Sequence, residues 1–245
     1  MNLVQIAHIS NGFSDKFGIP RQSREESRIT SRIVFEPDFR VREALRGIEA
    51  YSHLWLIWQF HDLNNSPLTW SPTVRPPRLG GNTRMGVFAT RSPYRPNPLG
   101  LTSVRLLRVE ETEAEGLTLI VSGADLMDGT PIFDIKPYLS FSDSHPDAIN
   151  GFADATRDYR LKVLWEIEAS GDSSISGDSG KSSNSSSLSE QLRQELEEIL
   201  SQDPRPAYQH DADRIYKLDY AGAHIEFQVQ EDTIIVKKCT LSAKK

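Results

Sequence analysis

Through its first 170 residues the chain offers only short apolar segments, repeatedly interrupted by Gly and Pro, and this rules out an architecture of long helices. Leu3 to Ile9 carries apolar residues at 4, 6 and 9 and reads as a strand. Ile33-Val34-Phe35 reads as another, stopped by Pro37. Ser52 to Phe60, rich in Trp, Leu and Ile, reads as a largely buried one. Met85 to Thr90, Leu99 to Val109, Leu117 to Gly123 and Leu161 to Ala169 follow. Ile132, Asp134 and Lys136 alternate with Phe133 and Ile135, the period of an extended chain. Only Phe39 to Leu45 suggests a helical turn or two, ended by Gly47. About seven short strands with little helix between them predict a small, closed or nearly closed antiparallel β-barrel over residues 1–170. No Gly-x-Gly-x-x-Gly and no Walker phosphate loop is present, so a doubly wound nucleotide fold has no support.

From Gly171 to Ser187 the composition collapses to Ser, Gly, Asp and Asn, which reads as a flexible linker. Leu192, Leu196, Ile199 and Leu200 then recur at helical spacing. Three strand-like runs follow: Arg214 to Asp219, Ala223 to Gln230 and Thr233 to Lys238. Residues 188–245 thus predict a minor α+β C-terminal domain, too small to be very stable alone. The fold class expected for the whole chain is mainly β.

Arginine is unevenly placed. Between Asp62 and Glu110 there is no acidic residue, yet there are seven arginines: Arg75, Arg78, Arg84, Arg91, Arg95, Arg105 and Arg108. The net charge of −6 excludes a generally basic coat, but local potential is what draws a polyanion. The single cysteine, Cys239, cannot form an internal disulfide and fits a reducing cytosol. No Cys/His cluster has metal-ligand spacing, so no metal is expected. The N-terminus lacks the pattern of a signal peptide, and the run Leu54-Trp55-Leu56-Ile57-Trp58 is far too short to span a bilayer.

Several segments carry candidate chemistry. Pro20-Arg21-Gln22 presents a rigid kink, a cationic fork and an amide; it is also an ordinary turn with an exposed Arg. His61-Asp62 closes the Trp-rich strand, where a His is more often a core-edge residue than a base. Arg91-Ser92-Pro93-Tyr94-Arg95-Pro96-Asn97-Pro98 contains three prolines and must be a stiff, extended loop. Two arginines and a tyrosine there suit a phosphate backbone and a stacked base. Asp125-Leu126-Met127-Asp128-Gly129-Thr130-Pro131 reads as a tight turn, and also as paired carboxylates able to hold ribose hydroxyls. Asp134 and Lys136 share a strand face, either as a salt bridge or as an acid–base pair.

Together the runs Arg75-Pro-Pro-Arg-Leu-Gly-Gly-Asn, Met85-Gly-Val-Phe-Ala-Thr-Arg-Ser, Arg95-Pro-Asn-Pro-Leu-Gly, Asp128-Gly-Thr-Pro and Asp134-Ile-Lys-Pro-Tyr resemble the TrmO, or TsaA-like, family. Asp203-Pro-Arg-Pro-Ala-Tyr resembles its bacterial members with a C-terminal domain. The resemblance implies an S-adenosylmethionine-dependent tRNA methyltransferase acting as a homodimer. Its acceptor would be N6 of threonylcarbamoyladenosine next to the anticodon. By the same resemblance the cofactor falls on Pro20, Arg21, Gln22, His61, Asp62, Arg91, Leu101, Asp125, Leu126, Met127 and Asp128. Position 62 is Asp where the bacterial pattern has Gln, and the Ser-rich insert also departs from it. Asp134, Lys136 and Tyr138 are the candidate catalytic groups; Arg78, Arg84, Arg95 and Lys136 are the candidate RNA contacts. Two other readings remain: a non-catalytic RNA-binding barrel, and a methyltransferase with a different acceptor.

Overall fold

The computed structural model describes residues 2–20, 22, 26–60, 69–76, 79, 82–156, 159–166, 188–205 and 211–242. The protein is mainly β, as its short apolar segments require. The strands are β1 (Ala7–Ser10), β2 (Thr30–Phe35), β3 (His53–Gln59), β4 (Thr73–Val74), β5 (Met85–Gly86), β6 (Leu99–Thr112), β7 (Gly116–Ser122) and β8 (Pro131–Pro137). A short helix, α1 (Ser140–Asp143), precedes β9 (Lys162–Trp165), and α2 (Glu190–Ser201) precedes β10 (Tyr216–Tyr220), β11 (Ala223–Gln230) and β12 (Thr233–Leu241).

Strands β1, β2, β7, β6, β3 and β8 pair in that order into a closed barrel, and every pairing is antiparallel. Side chains alternate across each strand, so β3 sends Leu54, Leu56 and Trp58 inward. There they meet Ile9, Ile33, Val104, Leu119 and Ile132 in one core.

Three sequence expectations are corrected. The run Met85 to Thr90 is strand only at Met85–Gly86 and turns into a 3-10 helix at Val87–Ala89. The segment from Leu161, expected beside the N-terminal strands, forms β9 in a four-stranded C-terminal sheet, parallel to β12. Periodicity alone cannot tell which sheet receives a short edge strand. Third, Ile132 does not share a face with Asp134 and Lys136. The register slips between Ile57 and Trp58, whose partners are Asp134 and Ile132. Phe133 is the extra residue of a bulge. Beyond it Ile135 packs on the core. Asp134 and Lys136 therefore face outward, where they form an ion pair of 3.0 Å.

The second core lies between α2 and the C-terminal sheet, and the N-terminal chain contributes to it. Phe13 and Ile29 are buried there with Leu196, Ile199, Leu218 and Phe227. Phe13 packs on Tyr220 with ring centroids 4.9 Å apart. At Gly18, where φ is +95°, a Cβ would stand 2.3 Å from Leu218 Cδ1, so glycine is demanded by both conformation and space. Residues 11–20 are thus held against the C-terminal sheet on one side while presenting Lys16, Ile19 and Pro20 to the cavity described next. The Ser-rich segment 171–187 lies outside the described residues.

Candidate active site

A cavity of about 580 Å³ opens at one end of the barrel. That size suits a nucleoside-scale ligand. Its walls bring together residues that are far apart in sequence: Pro20, Gln22, Arg91, Leu101, Asp125, Leu126 and Met127, with Arg95 at the same cavity. Each arrives by a different local device.

Arg91 opens the Pro-rich loop, which has neither helix nor strand over 91–98. Its Nη1 donates to Gln22 Oε1 at 2.5 Å, joining the loop to the N-terminal segment. Arg95 folds back instead: its Nη1 donates to the carbonyls of Val87 at 3.2 Å and Thr90 at 2.7 Å, and its guanidinium lies over the Phe88 ring. Much of its donor capacity therefore holds the turn at 87–90 in shape. The amide of Phe60 donates to the Pro98 carbonyl at 2.8 Å, anchoring the loop to the end of β3.

On the opposite wall, the turn at 127–130 is closed by the Thr130 amide donating to the Met127 carbonyl at 3.2 Å, with Gly129 at φ +74°. Asp125 precedes this turn, and Asp125 Oδ1 accepts from the Thr102 hydroxyl at 2.7 Å. Thr102 Oγ1 in turn accepts from the Trp58 indole N–H at 3.0 Å. Trp58 and Phe60 pack edge to face with centroids 4.4 Å apart, giving the cavity an aromatic wall. Asp128 does something different from Asp125. It is absent from the cavity lining, and its Oδ1 accepts from the Asn11 amide at 2.9 Å, fixing the 11–20 segment to the turn.

Other candidates also stand apart. Asp134 and Lys136 pair on the outer face of β8, and Tyr138 packs its ring on Trp55 with centroids 5.5 Å apart; none of them lines the cavity. Arg84 is exposed and away from it. Arg21, His61, Asp62 and Arg78 lie outside the described residues. Trp55, which does line the cavity, donates its indole N–H to Asp143 Oδ2 at 2.8 Å. The Leu139 amide and this indole hold the Asp143 carboxyl below its ordinary value.

Sequence reasoning missed Thr102, Trp58, Gly100, Lys16 and Ile19 as cavity residues. The one available signal was Thr102, a polar side chain on the inward face of β6 two residues from Val104, where a buried hydroxyl demands a partner.

The cavity continues into a wider groove of about 2040 Å³ that shares Lys16, Gln22, Phe60, Arg91 and Tyr94 with it. Trp70, Arg75 and Phe88 line this groove too. Trp70 and Tyr94 are about half exposed, and the Ser71 amide donates to the Tyr94 carbonyl at 3.1 Å, tying the two rims together.

Known proteins share this architecture. The family model described as tRNA-methyltransferase O N-terminal domain matches residues 8–144, and the TrmO C-terminal domain matches 178–242. A tRNA (adenine(37)-N6)-methyltransferase of Escherichia coli strain K12 is 39% identical over 204 residues, 83% of this chain and 82% of that one. One of Eikenella corrodens is 44% identical over 188 residues, 77% of this chain and 96% of that one. A Pseudomonas aeruginosa protein named as a putative S-adenosylmethionine-dependent methyltransferase is 42% identical over 205 residues, covering 83% and 81%. The crystal structure of TrmO from Pseudomonas aeruginosa superposes with a TM-score of 0.70 at 29% identity, covering 98% of each chain. The chain belongs to the tRNA-methyltransferase O family.

Proposed function

We propose that this protein is an S-adenosylmethionine-dependent tRNA methyltransferase that methylates N6 of threonylcarbamoyladenosine beside the anticodon. The observation that carries the reading is the convergence of Pro20, Gln22, Arg91, Leu101 and Asp125 on one cavity. Family membership supplies the reaction class.

The residues fit the methyl donor. Arg91, steadied by Gln22, offers donors to a carboxylate. Asp125 is an acceptor suited to a ribose diol, and Trp58, Phe60, Leu126 and Met127 supply apolar walls for a purine. When bound, S-adenosylmethionine supplies an electrophilic methyl group. The protein's part is largely to hold donor and acceptor in line, which supplies much of the acceleration. Tyr94 and Trp70 offer faces on which exposed bases stack, and Arg75 and Lys16 offer charge to phosphates along the groove.

We further propose that the protein works as a homodimer in the cytoplasm. On the outer face of the barrel the exposed Leu101 of β6 pairs with Ile57 of β3, and Ile57 pairs with Asp134 of β8, which is bonded to Lys136. A second copy that brings its cavity against this face carries an acceptor adenosine to Asp134, Lys136 and Tyr138. In that arrangement the Asp134 carboxylate is the group placed to take the proton from an acylated, weakly nucleophilic N6, with Lys136 paired to it and Tyr138 beside it. Among the described residues no helix is long and apolar enough to cross a membrane.

Nucleoside mass spectrometry of tRNA from a strain lacking the gene tests the reading. Loss of methylated threonylcarbamoyladenosine, restored by the wild-type gene and not by Arg91→Ala, is the expected result. An unchanged profile removes this acceptor.

A further inference from the structure

We infer that Thr102 is a positioning residue for ribose recognition: locked by Trp58, its hydroxyl fixes the Asp125 carboxylate for a vicinal diol. The inference rests on the reading of the cavity as a cofactor site and deepens it.

The argument is one of proton accounting. An indole N–H only donates, so at 3.0 Å from Trp58 Nε1 the Thr102 oxygen must accept. Its one hydrogen is then committed elsewhere, and the atom in reach is Asp125 Oδ1 at 2.7 Å. Thr102 and Trp58 are only 3% and 6% exposed, so water has little access to the indole–hydroxyl bond. The chain of donors has a single direction, from indole to hydroxyl to carboxylate. It ends on the group that faces the ligand.

Trp58 is itself fixed. The Phe60 ring lies against it, and a Cβ at position 100 would stand 2.2 Å from Trp58 Cε2. Gly100 is therefore what lets the indole lie across β6 and reach Thr102. Asp125 needs such an anchor because residues 124–127 belong to no strand or helix. A carboxylate accepts best from both hydroxyls of a diol when its plane is set, and the Thr102 bond fixes one of its oxygens.

Calorimetry with S-adenosylhomocysteine and its 2′,3′-dideoxyribose counterpart tests this. The wild-type protein should bind the dideoxy compound about tenfold more weakly, the effect of losing hydrogen bonds to a charged group. Thr102→Val should bring the two affinities close to equal, and Thr102→Ser should restore the difference. Simple structural weakening would lower both affinities and leave their ratio unchanged. A Thr102→Val protein that keeps the wild-type ratio overturns the proposal. Should that variant not fold, Trp58→Phe keeps an aromatic ring but removes the donor. A ratio reduced to about a third supports the assignment, and an unaltered ratio refutes it. Wild-type protein that binds neither compound refutes the cofactor reading itself, an outcome distinct from the loss of ribose discrimination alone.

Discussion

Single side chains in this protein act by committing donors to fixed acceptors, and two of them give direct tests. Arg91 is exposed, joined to Gln22, and at the junction of cavity and groove. Arg91→Ala should raise the dissociation constant for S-adenosylmethionine about tenfold by calorimetry, because one charge-assisted contact is lost. An unchanged affinity would place the carboxylate of the cofactor elsewhere. Tyr220 acts on stability. Its hydroxyl donates to Glu195 Oε2 at 3.0 Å within the second core. Burial, and then the Glu195 charge, push the phenol well above its ordinary 10.0. A raised pKa means the folded state retains the proton. The contribution is full below pH 10 and fades as pH rises beyond it. Urea unfolding should therefore show an alkaline loss of stability that Tyr220→Phe reduces. At neutral pH the same variant should cost about 1–3 kcal/mol, since Glu195 loses a donor while buried.

At the scale of elements, the segment 11–20 and the helix α1 are the devices that shape the cavity. Gly18→Ala places a Cβ against Leu218 at a positive φ and should cost about 1–2 kcal/mol. Because this segment also presents Ile19 and Pro20 to the cavity, cofactor affinity should fall along with the melting temperature. Helix α1 holds Trp55 through Asp143. That carboxyl is depressed below its ordinary 3.8 by the Leu139 amide and the indole, so its contribution is present above this value and lost as pH falls through the folded pKa. Acid titration of tryptophan emission should show a step below pH 3.8 that Asp143→Asn removes. The elements themselves were largely readable: Trp, Leu and Ile content announced β3, short apolar runs announced β6 and β7, and helical spacing announced α2. The bulge at Phe133 was not readable, because a slip in register arises from pairing with β3 and leaves no mark in the strand's own pattern.

For the whole molecule the relevant fact is that its two cores share chain. Phe13 and Ile29 sit in the C-terminal core while Lys16, Ile19 and Pro20, a few residues after Phe13, line the cavity, so the C-terminal unit supports the site. Assembly provides the remaining test. If Asp134 serves the cavity of a second copy, a mixture of Arg91→Ala and Asp134→Asn proteins should recover activity absent from either alone. Roughly a quarter of the sites would be intact after random exchange in a two-fold dimer. A mixture that stays inactive would exclude a shared site. The amino-acid pattern by itself determined the strand-rich class, the helix α2 and the stiff Pro-rich loop, because period, proline and glycine act within a few residues. It also marked Pro20, Gln22, Arg91, Leu101 and Asp125 as belonging together, through the family resemblance. Only the tertiary structure decided that Asp125 faces the cavity while Asp128 ties down a loop, that Asp134 and Lys136 point outward, and that β9 joins the second sheet. Those outcomes depend on which distant strand each residue meets, and contacts across more than a hundred residues leave no local trace.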